Sequence, residues 1–178
     1  MRVINLFAGP GCGKSTGAAY VFSQIKMHTN IKIELMHEFA KYLTYSKRQH
    51  HLKEQDYVYS QQKHIMEACH GSVDYVITDS PLLLSLAYLP ETFPQTFRQY
   101  AVDMFNTFDN FNFYLDRKKP YQSYGRNQSE NEALFLDLKI YKILVDNKIP
   151  CNIVEGNIQG YNKIVQEVII NHEQKKNT

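Results

Sequence analysis

The sequence predicts an α/β fold, a three-layer sandwich built on a five-stranded parallel sheet, and three observations carry that prediction. Five short apolar runs, at residues 2–7, 31–36, 74–78, 111–115 and 151–154, alternate with segments of helical character. The runs are apolar nearly throughout, as strands covered on both faces are. The first run ends in a glycine-rich segment from which a helix starts.

The helices follow in order. Residues 14–27 carry Ala18, Ala19, Val21, Phe22 and Ile25 on one apolar face. Residues 38–45 read as a short helix and 47–53 (KRQHHLK) as a polar connection. Helix resumes over 55–69, with Tyr59, Ile65, Met66 and Cys69 expected inward and Gly71 as a stop. Residues 82–89 form a brief apolar helix closed by Pro90, and 94–108 another helix. The clearest amphipathic pattern lies in 131–147, where Leu134, Leu138, Tyr141, Leu144 and Val145 recur at helical spacing. A last helix is expected over 161–172, and the apolar-free tail 173–178 is expected to fray. No repeat divides the chain, so 1–172 reads as one domain, with a lid at about 116–130.

Composition narrows the function classes. A net charge of +2 over 178 residues gives no bulk electrostatic case for nucleic acid, and leaves a local basic patch as the only route to it. Cys12, Cys69 and Cys151 are odd in number, far apart and outside any CxxC spacing. They suggest reduced thiols, neither a disulfide framework nor a zinc site. With no secretory signal and no membrane-length apolar run, a cytoplasmic protein is expected.

The segment AGPGCGKST, residues 8–16, has the spacing of a phosphate-binding loop in the strand-to-helix context that such a loop needs. Gly9, Gly11 and Gly13, interleaved with Pro10 and Cys12, let backbone N–H groups turn inward around phosphate oxygens. Lys14 can reach the terminal phosphates, Ser15 offers a hydroxyl to Mg²⁺, and Thr16 continues the helix start. Ala8 stands where such loops usually begin with glycine, and its small side chain suits the turn. The cofactors expected from this loop are ATP and Mg²⁺.

Asp79 ends the apolar run YVITD, where a carboxylate beside the loop can hold Mg²⁺; an Asp before Ser80-Pro81 also suits a helix cap. Glu38 follows the second strand, at the end where open α/β sheets bind ligands, and can take or orient an acceptor hydroxyl's proton. An acid in the first turn of a helix is the alternative reading. The basic stretch 116–132 holds Arg117, Lys118, Lys119 and Arg126 around Pro120 and Gly125. Arg117 and Arg126 are candidates to close over a triphosphate and neutralise transferring charge, against the alternative of a solvated loop. The run 47–53 is weaker evidence of contact with a polynucleotide.

AGPGCGKST, ELMHEFAKYL, DYVYSQQ, VDYVITDSPLLLSLAY and FYLDRKKPYQSYGRNQSENE together resemble a family of phage-encoded P-loop kinases, over residues 3 to about 155. Members include kinases of 5-hydroxymethyluridine in phage DNA, and the broader group takes in nicotinamide riboside kinase domains. The resemblance implies phosphoryl transfer from ATP, with Lys14, Ser15, Asp79, Glu38, Arg117 and Arg126 in the positions argued above. It implies a nucleoside triphosphate donor and a nucleotide acceptor, within DNA or free, and host cytoplasm as the location. Two other readings stay open: a small-molecule nucleoside, nucleotide or nicotinamide riboside kinase, and an ATP-driven switch or binding module. Oligomeric state, the donor base and the choice between Glu38 and Asp79 as base are left open by the sequence.

Overall fold

In a computed structural model, residues 1–122 and 128–176 are described. The strands are β1 (Arg2–Phe7), β2 (Ile33–Met36), β3 (Tyr75–Thr78), β4 (Asp109–Asp116) and β5 (Asn152–Glu155). All pair in parallel in the order β2-β3-β1-β4-β5. The helices are α1 (Lys14–His28), α2 (Phe39–Tyr45), α3 (Gln55–Ala68), α4 (Ser85–Tyr88), α5 (Gln95–Asn106), α6 (Glu130–Asp146) and α7 (Ile158–Lys176). The expected α/β sandwich is therefore the observed fold.

Period-two alternation in the central strand builds a core on each face of the sheet. Val3 and Phe7 of β1 point into one layer with Tyr59, Phe105, Ile140 and Leu144, from α3, α5 and α6. Ile4 and Leu6 point into the other with Val21, Ile25, Ile164 and Val168, from α1 and α7. Because β1 lies between β3 and β4, the chain leaves β1 and β3 toward opposite sides, and a crevice opens at their C-terminal ends. Everything described below sits at that end.

Several local expectations are corrected. The connection at 47–53 contains a 3₁₀ turn, Gln49–Lys53, and 82–89 divides into a 3₁₀ turn, Leu82–Leu84, followed by α4. Ala19 is exposed in α1, where Gly17, Ala18, Val21 and Ile25 are the buried positions. Ile65 is exposed in α3, where Gln62 is buried in its place. Gln62 fits inside because its amide accepts from Phe39 N at 2.9 Å and donates to His37 O. The tail is helical through Lys176, and 177–178 lie outside the described residues.

The largest correction concerns α6. Its buried positions are Ala133, Asp137, Ile140 and Leu144. Leu134, Leu138, Tyr141 and Val145 face solvent, so the helix is turned by one residue, about 100°, from the expected face. A carboxylate on the inner face hid that face from a hydrophobicity pattern. Ser129 and Glu132 start the helix with a reciprocal capping box. No helix of the described residues is long and apolar enough to cross a membrane.

Candidate active site

The turn after β1 wraps the loop 8–16 around the start of α1. Gly11 and Gly13 have φ of 79° and 94°, a region that side chains with a Cβ rarely adopt, and Gly13 is the residue from which α1 begins. Tyr161 of α7 supports the loop by donating its hydroxyl to Gly13 O at 3.1 Å. Lys14 Nζ donates back across the loop to Ala8 O at 2.8 Å and Gly9 O at 2.9 Å, which arches the backbone. Burial pulls the Lys14 ammonium's pKa down, and the carboxylates of Glu38 and Asp79 oppose that shift. Cys12 is not a reactive thiol: it is buried, bonds to Leu115 O, and burial pushes its pKa up to about 11. The three cysteines are all free, as expected.

Asp79, directly after β3, is 1% exposed. It is not a helix cap, since the following 3₁₀ turn, Leu82–Leu84, is preceded by Pro81 and has no side-chain cap. Its Oδ2 lies 3.4 Å from Lys41 Nζ, which also donates to Ser15 Oγ at 2.5 Å, while its Oδ1 is buried without a hydrogen-bond partner. Ser15 and Asp79 thus gather around one cation, the Lys41 ammonium, and leave an orphaned carboxylate oxygen beside it. Hard oxygen donors around a positive charge are what Mg²⁺ requires, so these residues fit the ion. Sequence reading missed Lys41, whose role appears only in its contacts with Ser15 and Asp79.

Glu38 occupies the position that starts α2, yet makes no capping bond with its side chain. Its carboxyl is half-buried, and burial raises its pKa, with Lys14 pulling it back down. The cleft has a volume of about 830 Å³ and is lined by Gly13, Lys14 and Ser15 of the loop, by Glu38, and by a wall that holds Val58, Tyr59, Leu84 and Tyr88 with Gln55 and Gln62. The loop and this wall are parts of one cavity, and Glu38 is near enough to both to act electrostatically on Lys14 and on Tyr88.

Arg117, at the end of β4, is brought to the loop from the side opposite Asp79. It is not a free arm on a mobile lid. Its Nη2 lies 2.6 Å from Asp137 Oδ2, its Nε donates to the same oxygen at 2.8 Å, and Nη2 also donates to Pro10 O at 2.9 Å. Asp137 Oδ1 in turn accepts from Gly9 N at 2.5 Å. One carboxylate of α6 therefore fixes both the loop's first turn and the arginine beside it. A Cβ at Gly9 would lie 2.6 Å from Asp137 Oδ1 and 2.7 Å from Ala133 O, so this contact requires glycine. Asp137 was invisible in the sequence because it stands alone, remote from the loop. Arg126 lies outside the described residues, whereas Lys118 pairs with Asp116 at 2.7 Å on the surface.

The profile of the AAA domain family matches residues 3–160. The chain belongs to this family. No curated protein sequence matches it. Among solved structures it resembles a deoxyadenosine kinase from M. mycoides with dCMP and dCDP bound, at 17% identity and a TM-score of 0.59, covering 98% of this chain and 100% of that one. It also resembles a thymidylate kinase from Ehrlichia chaffeensis, at 16% identity and a TM-score of 0.63, covering 94% of this chain and 96% of the other. A shikimate kinase from Aquifex aeolicus matches at 15% identity and a TM-score of 0.52, covering 99% of this chain and 98% of the other. At these identities the likeness establishes a shared fold for this AAA-family chain, and its chemistry rests on its own residues.

Proposed function

We propose that this AAA-family chain is a kinase that moves the γ-phosphoryl group of ATP to a hydroxyl of a nucleotide, and that the hydroxymethyl group of 5-hydroxymethyluridine in DNA is the acceptor. The observation that carries the phosphotransferase reading is one cleft lined together by the loop, by Glu38 and by a wall of Val58, Tyr59, Leu84 and Tyr88. A nucleotide switch needs the loop alone, and has no use for a second compartment with a buried carboxylate at its mouth.

In this reading the loop N–H groups and Lys14 hold the β- and γ-phosphates. Mg²⁺, held by Ser15 and Asp79, supplies charge neutralisation on the phosphates when bound. Lys41 would leave these two residues as the ion arrives. Glu38 accepts the proton of the acceptor hydroxyl while that hydroxyl's oxygen bonds to the γ-phosphorus and the bond to the β,γ-bridging oxygen breaks, leaving ADP. A carboxylate whose pKa is raised by burial is a better proton acceptor than an ordinary one. Arg117, held by Asp137, adds positive charge beside the loop, and Arg126 is proposed to add more.

The acceptor compartment supports a flat group with polar edges, because Tyr59, Leu84 and Tyr88 line it together with Gln55 and Gln62. A base turned out of a DNA strand has that chemistry. The cleft's volume of about 830 Å³, shared between the loop and the acceptor wall, favours a second reading, a free nucleoside, a nucleoside monophosphate or nicotinamide riboside, since a molecule of that size fits beside a donor unaided. Incubation with γ-labelled ATP, Mg²⁺ and a panel of hydroxymethyluridine DNA, free nucleosides, nucleoside monophosphates and nicotinamide riboside tests both. Label on the DNA supports the first reading and label on a small acceptor the second. ATP hydrolysis without any labelled acceptor would sink both.

A further inference from the structure

Three lysines line the cleft, Lys14, Lys41 and Lys53, and they are placed differently. Lys14 is turned back onto the carbonyls of Ala8 and Gly9. Lys53 is exposed at the wall. Only Lys41 reaches the oxygens that fit Mg²⁺: its Nζ donates to Ser15 Oγ at 2.5 Å and lies 3.4 Å from Asp79 Oδ2. Among the described residues that ammonium is the one hydrogen-bond partner of the Asp79 carboxylate, whose Oδ1 is buried without any.

A buried carboxylate is costly unless a cation compensates it. Lys41 compensates Asp79 with a single charge, at the oxygens where a divalent ion would bring two. An ammonium and a metal ion repel strongly at such separations, so the two cannot share these oxygens. Lys41 is also built to leave. Its side chain is 44% exposed, and its four-carbon stem is flexible. Among the described residues it pairs with no other carboxylate, not even Glu38 three residues before it on the same helix, so no second ion pair has to break.

We infer that Lys41 is a resident cation that guards the metal site, holding Ser15 and Asp79 until a divalent ion displaces it and thereby setting how tightly the site takes that ion. The inference rests on the reading of Ser15 and Asp79 as the residues that hold Mg²⁺, and adds to it a residue that opposes the ion. Removing the ammonium then has two effects of opposite sign. The fold loses stability, because Asp79 is left uncompensated. Metal binding gains, because nothing has to be displaced. A lysine that only shaped the site would weaken metal binding when removed, and an idle one would change neither.

Mn²⁺, which shares the preference of Mg²⁺ for oxygen ligands, is the probe. Titration of the full chain without nucleotide, followed by the electron paramagnetic resonance signal of the free ion, gives its affinity. Lys41→Met is expected to bind Mn²⁺ about tenfold more tightly than the wild type, the factor that one hydrogen bond to a charged group carries. It is also expected to melt at a lower temperature without the ion and to recover part of that loss with it. Lys41→Gln, which keeps a donor for Ser15 without the charge, should change the affinity in the same direction, and Lys41→Arg should return it towards the wild type. Lys53→Met removes a cleft charge that touches neither oxygen and should leave the affinity within about twofold. Unchanged or weaker Mn²⁺ binding in both Lys41→Met and Lys41→Gln, or an equal gain in Lys53→Met, overturns the proposal. Tight binding by Lys41→Met that survives Asp79→Asn overturns the metal-site reading beneath it as well. No acceptor or ATP is present, so failure of the kinase reading would not alter these outcomes.

Discussion

The donor side and the acceptor side of the cleft are built by different means. On the donor side, backbone and ion pairs fix the geometry: Lys14 bonds two loop carbonyls, and Asp137 grips Gly9 N and Arg117 at once. The acceptor side is walled by side chains from two short 3₁₀ turns and from α2, α3 and α4, with Val58, Tyr59, Leu84 and Tyr88 set among polar groups such as Gln55 and Gln62. A phosphate group is the same in every nucleotide, so its cradle can be a contiguous motif of backbone donors. An acceptor differs from enzyme to enzyme, so its compartment is assembled from scattered residues with no common spacing. The boundary between the two is Glu38.

Substitutions separate the two sides, beginning with the largest effect. Glu38→Gln removes the proposed base and is expected to lower kcat by about 10²–10⁴-fold, with little change in ATP affinity, as measured by steady-state turnover and equilibrium binding. Lys14→Ala is expected to cost about 10²–10³-fold in kcat/KM in a chain that still folds, and near-normal turnover would remove Lys14 from the mechanism. Asp137→Ala should destabilise the fold by about 3 kcal/mol in urea titration, because Arg117 is left as an unpaired buried charge. Adding Arg117→Ala should return part of that loss, and a strictly additive double variant would show that the pair is not coupled.

Smaller effects sharpen the comparison. Tyr88→Ala trims the acceptor wall and is expected to raise the acceptor KM about tenfold while ATP binding stays unchanged, a loss typical of one buried aromatic contact. An equal loss on ATP would merge the two sides. The smallest effect is on stability. The Glu38 pKa is raised in the folded chain, so between its ordinary and raised values the folded state holds more protons than the unfolded one. Stability therefore falls as pH rises through that window, and Glu38→Gln lacks the fall. Thermal midpoints should be higher for Glu38→Gln at neutral pH and converge with the wild type below the ordinary carboxylate range. A difference independent of pH would contradict this.

The same contrast explains what the sequence revealed. The five strands and the loop 8–16 were readable because β1 and β3 are buried on both faces and the loop's chemistry is contiguous. Asp79 and Glu38 were readable as acids at strand ends, which the parallel topology turns toward one crevice. Asp137 and Lys41 were not, since each acquires its meaning only by contact with a residue distant in sequence. The face of α6 was misread for a physical reason. Its strongest apolar stripe faces outward, while the stripe that packs inward contains a carboxylate. Hydrophobic spacing finds a stripe and does not tell which partner covers it.

The most direct test of the central claim is where the γ-phosphoryl group goes. With γ-labelled ATP, Mg²⁺ and the acceptor panel, the label should pass to an acceptor hydroxyl in the wild type. In Glu38→Gln that transfer should be nearly lost while ATP still binds. Transfer by Glu38→Gln at the wild-type rate, or release of all label as inorganic phosphate by the wild type, would contradict the account.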